Sequence, residues 1–147
     1  MVNPAAHPKK FFTREEKERV VQTIREAESR TSGEICVYLE RKARGHVMEH
    51  AKKIFEKLGM TKTKRRNGVL IYLSLSDRTF AVLGDRGIHE RVGDDFWKDA
   101  ALRMREDFAG GRFVEGLEAG IFKIGEKLSA HFPPEKRDTN ELPDIVA

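Results

Sequence analysis

The chain has 147 residues, the size of one domain built around one core. Hydrophobic residues make up 39% and charged residues 35%, and 28 Lys and Arg against 24 Asp and Glu leave a formal charge of +4. The signs are interspersed along most of the chain, which argues against nucleic-acid binding. The single cysteine, Cys36, excludes an internal disulfide framework and any multi-cysteine zinc or iron–sulfur site.

No stretch approaches the ~20 apolar residues of an integral membrane segment. Met1-Val2-Asn3-Pro4 opens without a basic segment leading into an apolar one, so no signal peptide is visible. The expectation is a soluble, cytoplasmic, single-domain protein.

Residues 1–10, with Pro4, Pro8, Lys9 and Lys10, read as a flexible lead-in to a domain over 11–134. Thr13-Arg14-Glu15-Glu16 has capping-box spacing and opens a helix with Val20, Val21, Ile24 and Ala27 on its apolar stripe. Residues 29–33 break it, and Ile35, Val37 and Leu39 then alternate at strand period. A second helix runs from about Val47 to Leu58, with Met48, Ala51, Ile54, Phe55 and Leu58 on one face and Gly59 as a left-handed stop.

A polar, basic loop over 61–66 leads to the continuous apolar run Val69-Leu70-Ile71-Tyr72-Leu73, which predicts a central strand covered on both faces. Residues 74–78 read as a hairpin connection and 79–83 as the returning strand, with Gly84-Asp85-Arg86-Gly87 as a turn. Asp94 or Asp95 caps a third helix carrying Phe96, Trp97, Ala100, Ala101, Met104 and Phe108. A fourth places Phe113, Leu117, Ile121, Ile124 and Leu128 inward. Within it Gly116 and Gly120 cost about 1 kcal/mol each against alanine, which implies a close packing partner there. His131-Phe132-Pro133-Pro134 ends that helix, and 135–147 read as a C-terminal tail without periodicity.

Helix, strand, helix, strand, strand, helix, helix defines an α/β three-layer sandwich. The strand–helix–strand crossover makes the first two strands parallel, and the hairpin makes the third antiparallel to the second. The end of the third strand therefore lies at the start of the other two. Glu34, Asp85, Asp94 and Asp95 converge on that rim in this layout, beside Asn67-Gly68. Convergent carboxylates repel unless a proton or cation lies between them, and a hard oxygen-seeking cation, Ca²⁺ or Mg²⁺, is the natural occupant. On the residues alone, plain structural roles are the favoured reading: Asp85 as a turn residue, Asp94 or Asp95 as a cap, Glu34 as a surface charge. The opposite rim holds Glu40, Ser74, Ser76, Asp77 and Arg78, which read as a turn with a surface ion pair.

His46-Val47-Met48-Glu49-His50 matches the H-x-x-E-H pattern of inverted zinc peptidases. Gly45 before it makes His46 a helix-entry residue, and no third ligand follows at a recognisable spacing. Lys62-Thr63-Lys64-Arg65-Arg66 lacks the interleaved aromatics of single-strand binders and reads as a solvated loop. Cys36 alternates into a strand and reads as buried filler.

Phe11-Phe12-Thr13, Thr31-Ser32-Gly33-Glu34-Ile35, Asn67-Gly68-Val69-Leu70-Ile71, Gly84-Asp85-x-Gly87-Ile88-His89 and Asp95-Phe96-Trp97 resemble the TPM domain. Gly125-Glu126-Lys127-Leu128, His131-Phe132-Pro133 and Asn140-Glu141-Leu142-Pro143-Asp144 resemble its short, anchorless bacterial members. The resemblance implies helices around a mixed sheet of about four strands. It also implies bound divalent cations, calcium especially, weak acid-phosphatase activity, and roles in photosystem II repair and the modulation of membrane receptors. Glu34, Asn67, Asp85 and Asp95 match family positions. Arg86 stands where short members commonly carry an acidic residue, which weakens a cation site and favours an anionic ligand. Two functions follow. One is a cation-dependent interaction module for a protein partner, soluble or membrane-associated, using the rim or the groove beside Trp97. The other is a metal-assisted phosphomonoester hydrolase, with Asp85 and Asp95 as ligands and Asn67 and Arg86 holding the substrate. No nucleophile-plus-base pair is visible, which favours binding.

Overall fold

A computed structural model describes residues 8–135 and 144–146. Residues 1–7 of the expected lead-in and 136–143 of the expected tail lie outside the described residues. Pro8–Phe11 forms a one-turn helix, α1, whose Phe11 packs edge-on against Phe113 and is buried in the core.

Helix α2 (Arg14–Glu28) starts where the capping box predicts. The Glu16 N–H donates to Thr13 Oγ1 at 3.1 Å and the Thr13 N–H to Glu16 Oε1 at 2.8 Å, which satisfies two of the helix's orphan donors. Strand β1 (Glu34–Glu40), helix α3 (Val47–Lys57) and strand β2 (Gly68–Ser74) form the crossover. β1 and β2 pair in parallel with Glu34 opposite Gly68, and β3 (Thr79–Gly84) pairs antiparallel to β2 with Gly84 opposite Val69. Between α3 and β2, Gly59 at φ +71° ends the helix as expected, and a short 3-10 turn buries Met60.

Between β3 and α5 two places depart from the sequence expectation. The 84–87 segment is no free turn, because Asp85 is the N-cap of a further helix, α4 (Arg86–Val92). The third predicted helix starts later than expected. Asp94–Trp97 winds into a 3-10 turn, and α5 (Lys98–Ala109) follows with Trp97 at its N-cap and no side-chain cap. Helix α6 (Phe113–His131) is the longest element.

The close packing inferred from Gly116 and Gly120 is present. A Cβ at Gly116 would meet Phe108 Cε1 at 2.8 Å, and one at Gly120 would meet Met104 Sδ at 2.5 Å, so α5 lies directly on α6. A Cβ at Gly125 would meet Ala27 Cβ at 2.7 Å, which brings α2 against the same helix.

Helices α2, α5 and α6 cover one face of the sheet over Ile35, Val37, Val69 and Ile71, while α3 covers the other over Cys36, Leu70 and Tyr72. With both faces covered, β2 is buried along its whole length, which is why it reads as a continuous apolar run. The end of the chain, expected as a tail, returns to the sheet as β4 (Ile145–Val146), parallel to β1, with the Val37 N–H donating to Asp144 O at 2.9 Å. The strand order is β3-β2-β1-β4, so β3 is an edge strand.

Candidate binding surfaces

The acidic rim is assembled in part. Glu34, Asn67 and Asp85 meet at the shared end of β1, β2 and β3, and all three are buried, with exposures of 3%, 1% and 5%. The occupant facing Asp85 is a side chain of the chain itself. Arg66 makes a two-pronged contact, Nε to Oδ2 at 2.7 Å and Nη2 to Oδ1 at 2.9 Å, and the Arg86 N–H adds a third bond to Oδ1 at 2.7 Å. The hydrogen bond to Asp85 holds the Arg66 guanidinium charged more firmly than usual.

Arg66 reaches this position from a left-handed backbone, φ +52°, and its carbonyl accepts the Gly87 N–H at 2.9 Å. Gly87 is a glycine for a steric reason: a Cβ there would sit 2.5 Å from Arg65 O and 2.6 Å from Arg66 O. The basic loop, read from sequence as wholly solvated, thus supplies the counter-charge of the rim. The 19-residue separation of Arg66 and Asp85 carries no periodic signal, and only the fold brings them together.

Three neighbouring polar side chains of the rim are hydrogen-bonded within the protein. Asn67 Nδ2 donates to Ser32 Oγ at 3.2 Å, Thr31 Oγ1 donates to the Phe132 carbonyl, and the Gly33 N–H donates to Thr31 Oγ1 at 3.1 Å. Arg86 is exposed on the first turn of α4. Asp94 and Asp95 lie in the 3-10 turn, and Asp95 lines a groove along β3. Among the described residues, no three His, Cys, Asp or Glu side chains gather into a metal-binding group. With Arg66 on both Asp85 oxygens, the donor set as folded does not fit the Ca²⁺ or Mg²⁺ that the family resemblance implies.

The opposite rim carries a network that sequence reading missed. Glu40 Oε1 accepts the Tyr72 hydroxyl at 2.6 Å and lies 2.7 Å from His50 Nε2. Burial, then the bond to Glu40, pushes the Tyr72 hydroxyl well above its usual range. The H-x-x-E-H segment is thereby dispersed. His46 caps α3 by accepting the Met48 N–H at 3.3 Å, Glu49 is exposed, and His50 turns to Glu40. Cys36 is buried, as its alternation predicts.

A groove of about 630 Å³ runs along β3, between the start of α3 and the 3-10 turn with α5. Val47 and Met48 form one wall, Trp97, Lys98, Ala101 and Arg105 the other, and Phe80 to Val82 of the edge strand lie between them. Trp97 closes one end: a Cβ on Gly84 would be 3.3 Å from the indole Nε1.

A four-stranded mixed sheet between two helical layers, with a groove along its edge strand β3, places the molecule among small α/β/α domains. The chain belongs to the TPM domain family, whose match covers residues 6–127. It is similar to the BA42 protein of the psychrophilic bacterium Bizionia argentinensis, solved by NMR. That similarity has a TM-score of 0.86 and 42% identity, over 94% of this chain and 97% of that one. The N-terminal domain of a protein from P. gingivalis shares the fold at a TM-score of 0.69 and 20% identity, over 84% and 80% of the two chains. No curated protein matches the chain. Among the described residues, no helix is long and apolar enough to cross a membrane.

Proposed function

We propose that this TPM domain is a protein-interaction module and that its binding surface is the groove beside Trp97. The observation that carries the proposal is the groove itself: apolar and cationic side chains flank a sheet edge that, among the described residues, no other strand pairs. An exposed sheet edge flanked by side-chain pockets is a recurring surface for recognising extended segments of other proteins.

The rim supports the alternative, phosphomonoester hydrolysis, less well. Hydrolysis requires a nucleophile or an activated water, yet Asn67 and Ser32 are bonded to each other and Thr31 to the Phe132 carbonyl. A Ca²⁺ or Mg²⁺ ion at Asp85 would have to displace Arg66, so no step of the proposed function runs through a metal.

The test is to pan a displayed library of random heptamers on the intact chain and map the selected peptides by amide NMR. Shifts are expected at Val82 and at the indole of Trp97, the single tryptophan, and Ala101→Arg, which fills the groove away from the rim, should abolish them. Shifts confined to Glu34, Asn67 and Asp85 would overturn the reading. So would p-nitrophenyl phosphate turnover that Asp85→Asn removes while the fold persists.

A further inference from the structure

The ladder between β2 and β3 sets which backbone groups of the edge strand are left over. The Asp85 N–H donates to Gly68 O at 3.0 Å in the same antiparallel register that pairs Gly84 with Val69. In an antiparallel pair, hydrogen-bonded positions alternate. The inward bonds therefore fall on Thr79, Ala81 and Leu83, and the N–H and C=O groups of Phe80 and Val82 point away from β2 into the groove. An open edge with directed donors and acceptors is a template for another strand unless something covers it. Here residues of α3 and of α5, from the two faces of the sheet, line the space beside the edge and form a slot along it.

The two walls of the slot differ in chemistry. The α3 wall is apolar, with Val47 and Met48; the α5 wall carries Lys98 and Arg105, which make no ion pair among the described residues. Arg78 stands at the open end, and Asp95 is the acidic lining residue against these three cations. Successive side chains of a strand point to opposite faces. A strand in this slot would therefore present every second residue to Val47 and Met48 and the others to Lys98 and Arg105. A second copy of this chain fits poorly, because edge-to-edge pairing would bring two sets of Arg78, Lys98 and Arg105 together.

We infer that the groove takes a partner protein's extended segment as a fifth strand on β3, a segment that alternates apolar and acidic residues. This rests on the interaction-module reading and adds the binding mode and the chemistry of the partner. Phe80 and Val82 supply up to four main-chain hydrogen bonds, the two walls select the side-chain pattern, and Trp97 stops the segment at the Gly84 end.

The experiment titrates the intact chain with a blocked six-residue peptide alternating glutamate and valine, read by Trp97 fluorescence and amide hydrogen exchange. A lysine–valine peptide and a glutamate–valine peptide N-methylated on the residues that pair with β3 are the controls. The expected result is slowed exchange at Phe80 and Val82 with the first peptide. Its affinity should be at least about tenfold above either control, roughly 1.4 kcal/mol, and Lys98→Glu with Arg105→Glu should reverse the charge preference. Binding in the groove without protection of Phe80 and Val82, or without preference for glutamate, overturns strand addition while leaving the interaction module in place. If neither these peptides nor the library-selected heptamers reach the groove, both readings fall. Saturable concentration-dependent dimerisation that protects the same two amides also overturns the inference, by assigning the edge to a second copy.

Discussion

Replacing Gly87 by alanine is the most direct check on how the rim is held together. A Cβ at this position would lie 2.5 Å from Arg65 O and 2.6 Å from Arg66 O. Overpacking costs typically about 1–3 kcal/mol, and both obstacles here are backbone carbonyls with no rotamer into which to escape, so the upper half of that range applies. Separating the segments also lengthens the Gly87 N–H bond to Arg66 O, now 2.9 Å, at a cost of about 1 kcal/mol. Alanine's helix propensity offsets up to about 1 kcal/mol of this. The expected outcome is a loss of about 2–3 kcal/mol in urea unfolding, which for a chain of this size lowers Tm by about 4–12 °C. Gly120→Ala is the comparison. Its Cβ would also lie close to a neighbour, 2.5 Å from Met104 Sδ and 2.6 Å from Met104 Cγ, but both atoms belong to one flexible side chain rather than to backbone, and the site is mid-helix, where alanine gains most. Its net effect should stay within about 1 kcal/mol. Gly87→Ala at wild-type stability, or Gly120→Ala the more costly of the two, would refute the reasoning that backbone obstacles cannot yield.

Three further outcomes follow from the packing. Burial pushes the Cys36 thiol up to about 12, with Asp144 and Glu28 adding to the effect, and Tyr72 is also raised. The native state therefore keeps protons that the unfolded chain releases above the ordinary thiol value of 9.0; stability is intact below that pH and falls as pH rises towards 12, and a urea midpoint that stays level from pH 8 to 11 would contradict this. Tyr72→Phe removes the donor to Glu40 and should cost about 1–2 kcal/mol in denaturant unfolding, the low side for a bond to a charged acceptor because Glu40 is half-buried; an unchanged midpoint would mean the hydroxyl contributes nothing. Ending the chain after residue 143 removes β4 and the acceptor at Asp144, so exchange of the Val37 amide should speed up by about an order of magnitude or more, with the amides of β2 little changed.

The amino-acid sequence by itself determined the principal helices, the first three strands and their layering. Thr13 and Glu16 satisfy each other's backbone across three residues, so the start of α2 is legible locally. The apolar run of β2 announces a strand covered on both faces, and Gly116 and Gly120 announce a helix crossing, because each would otherwise be a destabilising choice. Glu34, Asn67 and Asp85 reach one rim because parallel and antiparallel pairing follow from connection lengths alone.

Tertiary structure decided what those residues do. Arg66 and Asp85 lie far apart in sequence, and the loop that carries Arg66 holds several basic residues that look interchangeable until a left-handed backbone aims one of them at the carboxylate. Glu40, His50 and Tyr72 come from two strands and a helix, and no period in the chain relates them. The segment at Ile145 is too short for alternation to show and becomes a strand only because β1 offers an unpaired edge. The groove is a product of layering: α3 and α5 lie on opposite faces of the sheet, and only their packing brings residues of both beside the edge strand β3.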